Sequence, residues 1–259
     1  MSKSLEGKVA LVTGASEGIG FSIAQSLAKK GASIVLIARN QEKLQRAHDQ
    51  LTSQYGNKHL SISADVGNGE QVHDAVQAAV NKYHSIDILV NNAGSAPLDY
   101  LKNISYETIR TTLNTNLFGP LALYKELIPI FERQRHGMVV DMISQAAVRI
   151  LDQNAVYAPT KAGHRYLSLV MEKELPDIRI YRVYPGVVNT AIWKKDESDL
   201  KKIISESHAP ALHPDQVGEF ISQLIENPSL AKTPDIMLQP REDGSMGTIF
   251  LTKEYLETD

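Results

Sequence analysis

KVALVTGASEGIGFSIAQSLAKK, Lys8 to Lys30, is the stretch whose reading decides the fold. Lys8 to Val12 is a short apolar run, Thr13 to Gly20 a glycine-rich turn, and Phe21 to Lys30 reads as a helix. A strand that passes through glycines into a helix N-terminus makes an anion-binding crevice, because backbone N–H groups and the helix dipole face whatever enters. Gly14 permits the tight turn, Gly18 lets a diphosphate approach the backbone, and Gly20 lets helix pack closely on strand. Ser16 and Ile19 lie between them on the same turn and belong to the candidate binding set. The spacing is G-x-x-x-G-x-G, so the common G-x-G-x-x-G fingerprint is met only loosely, and a glycine turn without a ligand is the plainer alternative.

Outward from this turn, strands and helices alternate. Ser33 to Ala38 is a β-branched apolar run of the kind buried on both faces of a parallel sheet. Gln41 to Ser53 is a polar helix with Leu44, Ala47 and Leu51 inward, Leu60 to Ala64 a strand, and Val72, Ala75, Val76, Ala79 and Val80 a helical stripe. Further strands are expected at Ile86 to Val90, Met138 to Ile143, Arg179 to Tyr184 and Asp235 to Gln239, with a helix over Pro214 to Ile225. The pattern predicts a Rossmann-like α/β fold, a doubly wound parallel sheet between helical layers, with its ligand outside the strands' carboxyl ends. Gly14, Arg39, Asp65, Asn91, Ser144 and Pro185 each fall at or just after such an end.

A second stretch carries the chemistry. Tyr157 and Lys161 are four apart, so on a helix they share one face, and Ser144 ends an apolar strand thirteen positions earlier. A phenol titrates near 10, and a neighbouring ammonium favours its phenolate, which predicts a phenol acidified by roughly three units for proton exchange near neutrality. A serine hydroxyl beside it can steady the same substrate oxygen as charge develops. Taken alone, Tyr-x-x-x-Lys is a chance pattern of helix surfaces.

The ordered set of motifs resembles the short-chain dehydrogenase/reductase family: TGASEGIG at Thr13 to Gly20, NNAG at Asn91 to Gly94, Asn116, Ser144, the Tyr157/Lys161 pair, and PGVVNT at Pro185 to Thr190, spread over roughly residues 6 to 230. The resemblance implies an NADP(H)-preferring carbonyl reductase, similar to 3-oxoacyl thioester reductases, that exchanges a hydride with a carbonyl or secondary alcohol. Tyr157 is then the acid/base, Ser144 steadies oxygen, Lys161 tunes the phenol and binds ribose, and Asn116 holds a water in the proton relay. Asp65 and Val66 resemble the pair that contacts adenine, and Asn92, Ala93 and Gly94 belong to the cofactor floor. Pro185, Gly186, Val188 and Thr190 would hold the nicotinamide carboxamide. A non-catalytic NADP(H)-sensing or scaffold protein of the same fold is the rival reading.

Cofactor choice turns on Ala38, Arg39 and Asn40 at the end of the second strand, where an acidic residue would favour NAD(H). Arg39 can pair with a 2′-phosphate and favours NADP(H), while Glu17 stands where many NADP-using relatives carry a base. The 259 residues suit one domain, and a net charge of −3 with mixed signs argues against a nucleic acid or membrane partner. The absence of cysteine excludes disulfides and thiolate metal sites. No signal-like or membrane-length apolar run is present, so a cytoplasmic enzyme without metal is expected.

Tyr106 to Arg133 reads as one long helix or a pair broken near Gly119, Pro120 and Pro129. With the helix at Tyr157 it resembles the family's dimer face; Leu121, Leu123, Leu127, Ile128 and Ile130 are its apolar surplus, and a homodimer is expected, with a tetramer left open. Pro159 threatens the geometry of Lys161. A variable substrate lid is expected at about 190 to 213, with Trp193 a candidate for lining the pocket. A C-terminal extension at about 241 to 259 is expected to cover the pocket or a partner. His164 reads as a packing or interface residue without a catalytic role.

Overall fold

The computed structural model describes residues 4–56, 58–193, 210–231 and 233–251. Thus most of the expected lid, the end of the tail and the Trp193 side chain lie outside the described residues. Strands β1 (Val9–Thr13), β2 (Ser33–Ala38), β3 (Leu60–Ser63), β4 (Ile88–Asn91), β5 (Met138–Met142), β6 (Arg179–Pro185), β7 (Asp235–Pro240) and β8 (Met246–Phe250) form one sheet in the order β3-β2-β1-β4-β5-β6-β7-β8. The first seven are parallel, and β8 runs antiparallel along β7. Strand order reverses between β1 and β4, which opens a crevice above their carboxyl ends.

The helices are α1 (Gly18–Lys29), α2 (Gln41–Tyr55), α3 (Gly69–Tyr83), α4 (Tyr106–Leu113), α5 (Gly119–Gln134), α6 (Tyr157–Glu174) and α7 (Pro214–Glu226). They divide between the two faces of the sheet. Ile23 and Leu27 of α1, Leu44 and Leu51 of α2, and Val217, Ile221 and Leu224 of α7 pack with Ala10, Val12, Ile34 and Leu36 on one side. Val72 and Val76 of α3, Leu123, Leu127 and Phe131 of α5, and Met171 of α6 pack with Leu11, Val35, Leu89 and Val139 on the other. Adjacent strand residues therefore serve opposite cores, the reason these strands read as continuous apolar runs.

One expectation is settled and two are corrected. Of the two readings of Tyr106 to Arg133 the continuous one holds: α4 passes into α5 through a π turn, Asn114–Phe118, closed by the Gly119 N–H on the Asn114 carbonyl. Its wider ring admits Pro120 without a break, and Gly119 is required because a Cβ there would meet Cγ2 of Val66 at 2.9 Å. Second, Leu123, Leu127 and Ile130 are buried within the protomer, so they are core and not surplus. Third, residues 246–250 do not cover the pocket: they extend the sheet as β8, reached by a turn with Gly244 at φ +77°. Leu251 beyond it packs with Ile143, Tyr184 and Met237.

Candidate active site

Each functional side chain is set by an element end. Thr13 closes β1, and its Oγ1 accepts the N–H groups of Asn92 and Ala93 at 3.0 Å each, while Asn92 Nδ2 donates to the Thr13 carbonyl at 2.9 Å. These bonds lash the segment after β4 to the glycine turn. Gly20 sits at the crossing: a Cβ there would be driven into the Gly14 carbonyl oxygen and would meet Nδ2 of Asn92 at 2.5 Å. Gly14 and Gly18 have φ of +64° and +60°, the left-handed region that glycine enters freely.

The turn opens into a cleft of about 360 Å³. Gly14, Ser16, Gly18 and Ile19 line its floor, Arg39 and Asn40 one end, and Val66, Asn92, Ala93 and Gly94 a wall. Ser144, Tyr157 and Lys161 stand at the other end with Pro185, Gly186, Val188 and Thr190. Three expected site residues are not on the lining: Gly20, which sits beneath the turn against Gly14 and Asn92, and two others. Asp65 turns its carboxylate to the Gly67 N–H at 2.9 Å and faces Arg39 at 3.9 Å, so it shapes the loop and draws on Arg39's charge. The side chain of Asn116 accepts from the Ser95 N–H at 2.9 Å and donates to the Ser95 carbonyl and Thr160 Oγ1 at 2.8 and 3.0 Å. Its amide is thus a clamp between the π turn, α6 and the segment after β4.

Pro159 does no harm. As third residue of α6 its missing N–H falls in the first turn, where no carbonyl of the helix waits for it. Lys161 is buried and donates from Nζ to the Met142 carbonyl at 2.7 Å. The acidified phenol is corrected, however. Burial pushes Tyr157 up to about 12, against the pull of its hydrogen bond with Ser144. Burial likewise draws Lys161 down to about 8, with Asp141 opposing. In this buried position the cost of desolvating the phenolate exceeds what the hydrogen bond with Ser144 returns.

Lys43 was not among the expected residues. It lies in the first turn of α2, lines the cleft beside Arg39, and holds both carboxylate oxygens of Glu17 at 3.0 Å. The Glu17 carboxylate, which stands where a base was looked for, is therefore already paired. Its signal in the sequence was a lysine four residues after Arg39, visible only once α2 is known to start at Gln41.

A Rossmann-like crevice with a serine, a tyrosine and a lysine gathered at one end defines a dinucleotide-dependent oxidoreductase architecture. The short chain dehydrogenase family model matches residues 8–201, and the chain belongs to that family. An uncharacterized oxidoreductase of Staphylococcus epidermidis is 32% identical over 208 residues, covering 79% of this chain and 89% of the relative. L-sorbose reductase from Gluconobacter frateurii, solved with NADPH and L-sorbose, superposes with a TM-score of 0.81 at 28% identity over 91% of this chain and 95% of that one. An alcohol dehydrogenase from Thermococcus sibiricus, solved with 5-hydroxy-NADP, gives a TM-score of 0.79 at 27% identity over 90% and 96%.

Proposed function

We propose that this oxidoreductase is an NADP(H)-dependent carbonyl reductase working on a small ketone or aldehyde and, in reverse, on the secondary or primary alcohol. The observation that carries the reading is the convergence of Ser144, Tyr157 and Lys161 on the same cleft as the glycine turn. The residues present suit the dinucleotide: the Gly14 and Gly18 backbone would cradle its diphosphate, since a Cβ at either would crowd Ala93 or Thr190. Arg39 and Lys43 would receive a 2′-phosphate, and two exposed cations at that end, each beside a carboxylate it could exchange for the phosphate, support NADP(H) over NAD(H). Val188 and Thr190 would hold the carboxamide, and Lys161 the nicotinamide ribose.

When bound, NADPH supplies the hydride. Tyr157 donates its proton to the substrate oxygen as negative charge develops there. A phenol near 12 is protonated at neutral pH, the form from which it donates in reduction. Ser144 holds the same oxygen through its hydroxyl, and its Oγ is oriented by the Ala146 N–H at 3.1 Å. Lys161 supplies positive charge beneath the phenol. Asn116 keeps Ser95 and Thr160 in place around it.

Leu113, Phe118 and Leu121 are exposed on α4 to α5, with Tyr166 exposed on α6, and this apolar strip supports a homodimer. Among the described residues no helix is long and apolar enough to cross a membrane, in keeping with a cytoplasmic enzyme. The test is oxidation of NADPH and NADH against a panel of sugars, cyclic ketones and 3-oxoacyl thioesters. Turnover with NADPH at least tenfold more efficient than with NADH is expected. Tight NADPH binding with no turnover on any carbonyl would replace the enzyme with a cofactor sensor.

A further inference from the structure

A row of polar residues crosses the sheet under α5 and α6. Asn91, Asp141, Arg182 and Asp235 are register partners on β4, β5, β6 and β7, and all four are buried. The right half of the row closes on itself. Arg182 donates from Nε and Nη2 to the two oxygens of Asp235 at 2.8 and 2.7 Å, and its Nη1 lies 3.0 Å from Glu172 on α6 as an ion pair without hydrogen-bond alignment. Tyr184 donates to Asp235 and receives the Nε–H of Arg165. One guanidinium thus faces two carboxylates and has no charge to spare for Asp141.

Asp141, fully buried, accepts from Asn91 Nδ2 at 2.7 Å and Tyr124 Oη at 2.8 Å, and meets His164 Nε2 at 3.0 Å. None of these donors needs to carry charge. Burial pulls His164 below the ordinary imidazole range, and burial also pushes the Tyr124 phenol well up, so both donate as neutral groups. A buried carboxylate with neutral donors alone would be costly. The cation that remains is Lys161, one turn before His164 on α6, whose ammonium is bonded to the carbonyl of Met142, the residue next to Asp141.

We infer that Asp141 and His164 are positioning residues for the proposed reaction: the Asp141 carboxylate is the fixed counter-charge that keeps the Lys161 side chain an ammonium, and His164 anchors that carboxylate. The inference rests on the reductase reading only for its consequence in turnover; the charge coupling itself stands on the buried geometry. A neutral Lys161 would leave Tyr157 without a positive neighbour and Asp141 without a counter-ion. The two proton equilibria are therefore joined: burial draws the ammonium down, Asp141 opposes its loss, and the balance of the two falls at about 8.

The test is a titration of the Lys161 Cε resonance in protein carrying ¹³C-labelled lysine, with the signal assigned by its loss in Lys161→Arg, beside the pH profile of kcat/KM for NADPH-dependent reduction. In the wild-type protein the resonance is expected to titrate near pH 8. In Asp141→Asn it is expected to move down by about one unit or more, with the high-pH limb of kcat/KM moving equally, about a tenfold loss at the upper end. His164→Leu moves both by a smaller amount in the same direction, and His164→Gln, which keeps an N–H for the carboxylate, recovers most of that change. If Asp141→Asn does not fold, the two His164 variants decide. An unmoved Lys161 titration, with rates scaled equally at every pH, overturns the inference and leaves the reductase standing. A shifted titration in a protein without turnover upholds the coupling and removes the reductase.

Discussion

Gly20→Ala tests how the crevice is built. In an isolated helix this change is stabilising by about 1 kcal/mol, because alanine loses less backbone freedom. Gly20 lies in the first turn of α1, where an added Cβ would be driven into the Gly14 carbonyl oxygen and approach Asn92 Nδ2 at 2.5 Å. Both atoms are held, the first by the turn itself and the second by its bond to the Thr13 carbonyl. Relief requires α1 to back away from β1, and overpacking against fixed backbone belongs at the upper end of its usual range, about 3 kcal/mol. The net expectation is about 2 kcal/mol of destabilisation, a fall in Tm of roughly 4–8 °C for a chain of this size. Gly163→Ala is the matched control: it also sits in a helix, yet its Cβ would meet only the flexible end of Leu117 at 3.2 Å. Differential scanning fluorimetry of the two variants, with NADPH affinity by tryptophan-independent calorimetry, reads the contrast. A Gly20→Ala protein as stable as Gly163→Ala, with unchanged NADPH affinity, would refute the close approach of α1, β1 and the segment after β4.

Three further outcomes follow from the same geometry. Lys43→Ala removes a cation from the adenosine end of the cleft and frees Glu17; NADPH Kd should rise about 5-fold, roughly the 1 kcal/mol of one exposed ion contact, while NADH Kd stays within about twofold. Equal losses for both cofactors would remove Lys43 from phosphate recognition. Asp87 accepts from Lys8 Nζ and the Val9 N–H and meets His136 Nε2; burial works against the carboxylate, but these bonds hold its pKa below the ordinary value. A depressed folded pKa contributes stability that is present above the unfolded pKa of about 3.9 and is lost as pH falls through the folded value. Asp87→Asn should therefore cost about 1–2 kcal/mol in urea unfolding at pH 6 and progressively less as pH is lowered below the unfolded pKa, and a pH-independent cost would contradict this. Replacing both Phe118 and Leu121 by Glu places charge on the exposed strip of α5 and its π turn; light scattering is expected to report the proposed dimer for the wild-type protein and a monomer for the variant, and a wild-type monomer or an unchanged dimer in the variant would remove this strip as an interface.

Much of the fold was legible because its causes are local. Apolar runs such as Ser33–Ala38 and the glycines at 14, 18 and 20 impose strand and turn whatever lies around them. The site was legible through the same turn, since strand ends in a parallel sheet fall on one side. What escaped depends on register or on balances of energy. Asp141 stood in plain view inside MVVDMI, a charge in a strand buried on both faces, but its partners His164, Asn91 and Tyr124 are set by sheet order and by the faces of α5 and α6. Read alone, His164 could be only a packing or interface residue. Likewise the residues after Pro240 gave no alternating pattern, and only their hairpin register with β7 makes them a strand. The pKa of Tyr157 was misjudged for a different reason: spacing predicts which charge is near, whereas desolvation depends on how completely the pocket closes, and here closure dominates.

The most direct measurement is NADPH-dependent carbonyl reduction by Tyr157→Phe, which removes one hydroxyl from the cleft and leaves the ring that fills it. With kcat down by about a thousandfold or more and NADPH Kd within about threefold of the wild-type value, Tyr157 is the proton donor beside the bound cofactor. Turnover within tenfold of the wild-type rate would contradict it.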